Sequence, residues 1–309
     1  MKPDSSKITI HNNKALIIKF IKEMLVNPRI SVHEWSKITN QTPNLKIGYP
    51  GQHLASLILG IKGTASGARG NDIEDGTEVK SCSLVDQSDK CKNKKCGKNL
   101  FKTDTKCPYC GSTDIKRNFD SKWLIAIHSE DELKMATKET DRFLFVVTDY
   151  PDRTNFNDIR IRAFEVYPKE SRGKRFVELL ENYYKYIYLP HIEKNKNKTP
   201  APKNLFPDMY PFYMCNPVKI FECEIKDSIN NPQISITHYI EPEVDRSSLE
   251  SEQMPKSLLS KVEKDILLSK GIDISKTKTI SESLREYLPL RDTDKKIKEI
   301  GTKKTKLSE

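Results

Sequence analysis

The chain has 309 residues, 36% of them apolar and 31% charged, enough for one large domain or two to three small ones. Lysine and arginine outnumber aspartate and glutamate by 53 to 43, and the resulting net charge of +10 suits a polyanionic partner, although a lysine-rich background accounts for part of the excess. No apolar run approaches the ~20 residues of a membrane span, and the N-terminus lacks the pattern of a secretory leader, so a soluble cytoplasmic protein is expected.

Residues 1–12 are polar and without periodicity. Leu16, Ile17, Phe20, Ile21, Met24 and Leu25 then recur at helical spacing, and Pro28 is expected to end that helix. Ser31-Val32-His33-Glu34 has the form of a capping box, so a second short helix with Trp35 and Ile38 is expected from about residue 32. The pair reads as packing more readily than as a DNA-docking unit, and His33 as a surface or cap residue. After a turn-rich linker over 41–51, a third helix is expected over 52–62, with Leu54, Leu57, Ile58 and Ile61 on one face. His53, near its start, suits a structural role or a phosphate contact better than a general base. Residues 63–70 form a glycine-containing loop in which Arg69 can reach a DNA phosphate. It has no Gly-Lys-Ser/Thr ending, which excludes a nucleotide P-loop.

The next stretch carries the chemistry. Asp75-Gly76 is a hairpin signal. A three-residue loop, Glu74-Asp75-Gly76, pairs Ile73 with Thr77 and puts Asp72 opposite Glu78, with Cβ atoms about 4.5–5.5 Å apart. Strand alternation adds Lys80 to the same face. Two carboxylates so close repel unless a cation lies between them, and a hard divalent ion such as Mg²⁺ fits, with Lys80 placed to orient a water. A two-residue loop would pair Ile73 with Glu78 and break the cluster, leaving an ordinary solvated hairpin. The strand-prone Ser81-Cys82-Ser83-Leu84-Val85 that follows places the pair on a core strand.

Two cysteine pairs come next, Cys91 with Cys96 and Cys107 with Cys110, the second within the knuckle-like Cys-Pro-Tyr-Cys-Gly. Seven cysteines, an odd number with four clustered, point to reduced thiols holding a metal rather than to disulfides. Four thiolates suit a closed, structural Zn²⁺ site. Between 90 and 122 ten basic residues stand against three acidic ones, so this module, Lys94 and Lys95 included, is a candidate for phosphate contact. Cys82, Cys215 and Cys223 read as buried thiols.

A strand is expected over 120–128, a helix over 129–140 with acids at its N-terminus, a buried strand over 143–148 and a half-exposed edge strand over 159–166. The tyrosine-rich 174–188 reads as a helix whose aromatics serve core or dimer packing. A Pro- and Lys-rich loop over 191–217, strands over 219–225 and 234–240, helices over 257–269, 281–287 and 292–299, and a disordered basic tail over 303–309 complete the chain.

Asp72 followed by Glu78-Val79-Lys80 on adjacent strands resembles the PD-(D/E)XK nuclease superfamily. The string Gly51-Gln52-His53-Leu54-Ala55-Ser56-Leu57, Gly67-Ala68-Arg69-Gly70-Asn71-Asp72, Asp75-Gly76-Thr77-Glu78-Val79-Lys80-Ser81 and Asp120-Ser121-Lys122-Trp123 is similar to type II restriction endonucleases of the MamI type, over about 51–132. The resemblance implies an α/β fold with a PD-(D/E)XK restriction-endonuclease-like core, a mixed sheet flanked by helices, over 51–166; the residues themselves add a zinc module inserted at 88–118, an N-terminal helical region over 1–50 and a mixed, mainly helical region over 167–309. It implies a Mg²⁺-dependent endonuclease with Asp72, Glu78 and Lys80 catalytic and the Val79 carbonyl a further metal ligand, a homodimer acting on double-stranded DNA at a palindromic or interrupted palindromic site, and 5′-phosphate products. Asp75 stays open as an alternative to Asp72; strand pairing favours Asp72. Two other readings share the residues: a structure-directed or repair nuclease, and a zinc-ribbon DNA-binding protein without catalysis.

Overall fold

The apolar spacing of 13–25 does build a helix, but Pro28 does not end it. In the computed structural model, which describes residues 2–65, 70–196 and 198–291, α1 (Asn13–Ile21) passes through a π-turn (Lys22–Val26) straight into α2 (Asn27–Thr39). A proline ring crowds the carbonyl four residues back. The wider π-turn, in which the Asn27 N–H reaches the Lys22 carbonyl, gives the ring room, and Pro28 sits in the first turn of α2. Ser31 is therefore no cap: it lies inside α2 and its hydroxyl donates to the Asn27 carbonyl. His33 is buried rather than at the surface, with Nε2 3.1 Å from the Asp86 carboxylate, which also receives Arg29.

The third helix, α3 (Gly48–Leu59), starts earlier than its apolar spacing suggested and lies against β1 (Thr77–Ser83). Gly51 makes that approach possible, since a Cβ there would stand 1.8 Å from the Ser81 hydroxyl oxygen. Beyond β1 the chain leaves for the cysteine module, a three-stranded ladder of β2 (Asp89–Cys91), β3 (Asn99–Leu100) and β4 (Ile115–Lys116) in the order β3-β2-β4. It returns through β5 (Trp123–Ile125) and the short α4 (Glu130–Lys134), which the Ser129 hydroxyl caps by accepting the Glu132 N–H. Then come β6 (Arg142–Asp149), β7 (Ile159–Val166) and α5 (Lys174–Tyr183). The stretch expected to be a loop after 191 contains β8 (Lys203–Leu205), which pairs with β5, and a helix over Tyr210–Met214. So β5 returns to the body of the protein without joining the main sheet.

That sheet has five strands in the order β1-β6-β7-β9-β10, completed by β9 (Val218–Lys226) and β10 (Gln233–Tyr239). Only β1 and β6 run parallel; the other pairs are antiparallel, which makes the sheet mixed. Two strands come from beyond residue 166, so the sheet extends past that boundary. β7 is not the half-exposed edge strand its alternation suggested but the middle strand, buried nearly throughout. Its charged residues pair instead of meeting water: Arg162 with Asp149 and Asp208, Glu165 with Arg142.

Each face of the sheet carries a core. Val79, Leu144 and Val146 pack with Ile17, Leu54 and Ile58 of α1 and α3. Phe143, Phe145 and Phe164 on the opposite face pack with Trp123, Phe176 and Phe212. The C-terminal region adds Met254 and Ile280 to that second core through β11 (Met254–Pro255) and β12 (Thr279–Ile280), with a helix over Lys261–Ser269. The helix expected over 292–299 and the tail over 303–309 lie outside the described residues. Among the described residues no helix is long and apolar enough to cross a membrane.

Candidate active site and cysteine cluster

The Asp-Gly turn has three residues, with Gly76 at φ +87° and the Ile73 N–H donating to the Thr77 carbonyl over 3.1 Å. Beyond that pair the two arms do not continue as a regular ladder. The arm before the turn pairs instead with 62–64: Gly63 bridges Ile73, and the Thr64 N–H reaches the Asp72 carbonyl at 3.0 Å. Asp72 is thereby drawn to the open edge of β1. One carboxylate oxygen accepts the Val79 N–H at 2.8 Å and the other accepts Gln52 Nε2 at 2.6 Å.

A strand residue points its N–H and C=O to the same side, so the Val79 carbonyl faces this open edge too. The Val79 side chain goes into the α3-side core, while Glu78 and Lys80, one residue to either side, turn the other way and form an ion pair at 2.6 Å. Asp72, Glu78, Val79 and Lys80 together line a cavity of about 580 Å³, whose far wall includes Ile125, Met135 and Phe143. Thus three of the predicted residues and the predicted carbonyl share one hollow.

Burial pushes the Asp72 carboxyl above its ordinary range, against the opposing pull of the Val79 N–H and Lys80. Burial likewise raises Glu78, with the Asp72 charge adding to the shift and Lys80 working against it. The hollow thus disfavours its own two negative charges, and a cation between them would offset that cost. The donors on offer are oxygens, the set a hard divalent ion takes. Asp75 is engaged elsewhere: one oxygen accepts from the Thr77 backbone and hydroxyl, the other is paired with Arg142, which also bridges to Glu165. It anchors the turn to the sheet and does not line the cavity.

Gln52 is the contact that sequence reasoning passed over; it precedes Asp72 by 20 positions and no local pattern links them. Its place depends on Gly51. Gly51→Ala is expected to push α3 off β1, at a cost of about 1–3 kcal/mol for overpacking, and to loosen the grip on Asp72. A lowered melting temperature together with weaker DNA cleavage would show it; a variant as stable as the parent would mean that α3 adjusts freely. His53 does not line this cavity; it lines a second hollow that shares Gln52 and Asp72 with the first, with its ring 6.1 Å from that of Phe20. Arg69 lies outside the described residues.

The four cysteines do come together. Their sulfurs all lie within 4.8 Å of one another, with Cys91–Cys110 and Cys96–Cys107 at 3.7 Å. A disulfide requires about 2.05 Å. A tetrahedron with metal–sulfur bonds of about 2.3 Å has edges of about 3.8 Å, so the arrangement is compatible with Zn²⁺. Backbone knuckles shape it: the Gly111 N–H reaches the Cys107 carbonyl at 2.8 Å, and Gly97 and Gly111 hold φ of +59° and +71°. The module's own core is only Cys91, Leu100 and Cys107. A buried ion cluster braces it from within, with Asp89 receiving Lys102 and Arg117; the Lys102 ammonium lies 4.4 Å from the Phe119 ring centroid and the Arg117 guanidinium 4.9 Å from that of Phe156, both outside the module. Lys94 and Lys95 are exposed on the first knuckle.

These features sit within a recognisable class. Residues 34–257 match the model of the MamI restriction endonuclease family, and the chain belongs to that family. Among its relatives it is similar to the type II restriction enzyme MamI of Microbacterium ammoniaphilum, at 26% identity over 83 residues, which are 27% of this chain and 27% of that one. The alignment therefore spans about a quarter of the relative's length. No solved structure matches the chain.

Proposed function

We propose that this protein is a type II restriction endonuclease that hydrolyses phosphodiester bonds of double-stranded DNA at a specific sequence, with Mg²⁺ as cofactor. The observation that carries the reading is the convergence of Asp72, Glu78 and Lys80 on one cavity at the open edge of β1. Membership of a restriction endonuclease family supports it. On this reading the mixed sheet and its helices are a PD-(D/E)XK core.

Asp72, Glu78 and the Val79 carbonyl would hold the Mg²⁺ ion, which when bound supplies positive charge at the scissile phosphate and makes water more acidic. Lys80, held by Glu78, orients the attacking water and stabilises charge that builds on the phosphate. The water oxygen forms a new bond to phosphorus as the bond to the 3′ oxygen breaks in line; the 3′ oxygen is protonated and the phosphate stays on the 5′ side. Cys91, Cys96, Cys107 and Cys110 would hold Zn²⁺, which closes the module's fold and leaves no position open for water. A homodimer would match two-fold protein symmetry to a palindromic site.

Digesting DNA of mixed sequence and sequencing the new ends tests this reading. Ends that share one short sequence and carry 5′-phosphates support it. Cuts confined to junctions or pre-existing ends would make the protein a structure-directed nuclease. Mg²⁺-independent binding with no cuts would leave a DNA-binding protein without catalysis.

The basic module makes a separate claim. If Lys94 and Lys95 each neutralise a phosphate, log affinity falls with log salt by roughly 0.9 per contact. Replacing both with Ala is expected to flatten that slope by up to about two units, for specific and non-specific DNA alike, in titrations with Ca²⁺ in place of Mg²⁺. An unchanged slope would make them solvated residues on a structural clasp.

A further inference from the structure

We infer that Asn71 is a further catalytic residue of this site: its side-chain amide donates a hydrogen bond to a non-bridging oxygen of the scissile phosphate. The inference rests on the nuclease reading and adds a substrate contact to it.

Asn71 lies immediately before Asp72 and lines the same cavity as Asp72, Glu78 and Lys80. It is fixed from two sides. Its backbone carbonyl accepts the Thr64 hydroxyl at 2.9 Å, and its side-chain Oδ1 accepts the Thr140 hydroxyl at 3.3 Å. Thr140 is itself buried, and its N–H closes the turn after α4 by donating to the Met135 carbonyl at 2.8 Å. With Oδ1 held by Thr140, the amide NH₂ is the end left to face the hollow. The charges there support the same orientation: a donor turned toward a site with two carboxylates is favoured over a carbonyl dipole turned toward them. A phosphate entering that hollow brings negative oxygens to a donor already in place. Its hydrogen bond strengthens as charge builds in the transition state and needs little reorganisation.

The experiment combines protein and substrate changes on full-length, zinc-loaded protein, with the cut position mapped beforehand. Asn71→Ala is expected to slow single-turnover cleavage in Mg²⁺ by about a hundredfold, in line with the loss of one donor from an oxyanion site, while DNA affinity in Ca²⁺ shifts less than about threefold. Thr140→Val, which frees the amide without deleting it, is expected to slow cleavage by about tenfold. DNA with sulfur in place of one or the other non-bridging oxygen of the scissile phosphate supplies a readout that a structural role would not move. Sulfur accepts hydrogen bonds poorly, so one diastereomer should slow the wild-type protein, and that penalty should vanish in Asn71→Ala while the penalty of the other diastereomer remains. If Asn71→Ala keeps both penalties unchanged, or if its loss of rate is restored by raising Mg²⁺, Asn71 does not touch the phosphate and the inference falls. If the wild-type protein cuts no DNA, the nuclease reading itself falls and this inference with it.

Discussion

Asp72→Ala and Lys80→Ala are each expected to lower DNA cleavage by at least about a thousandfold, which is about 4 kcal/mol of transition-state stabilisation. Asp72 is the residue that the structure brings to the β1 edge by three hydrogen bonds, to Thr64, Val79 and Gln52. Removing its carboxylate would take away a ligand of the proposed cation, while Glu78 keeps Lys80 and loses a like charge. Removing Lys80 takes away the ammonium that faces Glu78 at 2.6 Å. Neither change touches the exposed lysines of the cysteine module, so DNA affinity in Ca²⁺ should stay within several-fold of wild type. Full activity in either variant would contradict the site. A dead Asp75→Ala beside an active Asp72→Ala would move the ligand to Asp75, against its pairing with Arg142 and Thr77.

If the cysteine cluster holds the proposed Zn²⁺, losing it is expected to have a larger effect still on stability, though not on the chemistry. Structural Zn²⁺ contributes on the order of 10–16 kcal/mol in small zinc-folded peptides, and this module has a core of only three buried residues to fall back on. Elemental analysis should find about one Zn²⁺ per chain. Cys110→Ser should unfold the module, raise its susceptibility to protease between 88 and 118, and lower solubility. Protein without zinc that keeps the module folded would refute the assignment. Because Lys102 and Arg117, paired with Asp89 inside the module, also lie over the rings of Phe119 and Phe156 outside it, its loss should also be felt at those two rings.

Features whose cause is local could be found in the sequence. The left-handed Gly76 after Asp75 specifies the turn, and the two closely spaced cysteine pairs mark the four sulfurs that come together. Alternation along β1 correctly separates Glu78 and Lys80 from Val79. Features set by distant partners were hidden. Pro28 is a helix breaker by its own chemistry, and only the π-turn before it keeps α1 and α2 continuous. Arg162 and Glu165 make β7 look half-solvated, yet Asp149, Asp208 and Arg142 on other elements satisfy them inside the sheet. His33 has the place of a cap residue but finds Asp86 from beyond β1. The hold of Gln52 on Asp72 depends on a glycine that lets two elements touch, a relation that no periodicity encodes.

The most direct test of the account is cleavage of plasmid DNA by the purified, zinc-loaded protein, with and without added Mg²⁺. Discrete linear fragments that appear only with Mg²⁺, and that Asp72→Ala fails to produce, are the predicted result. Intact plasmid at every Mg²⁺ concentration, or the same fragments from Asp72→Ala, would contradict it.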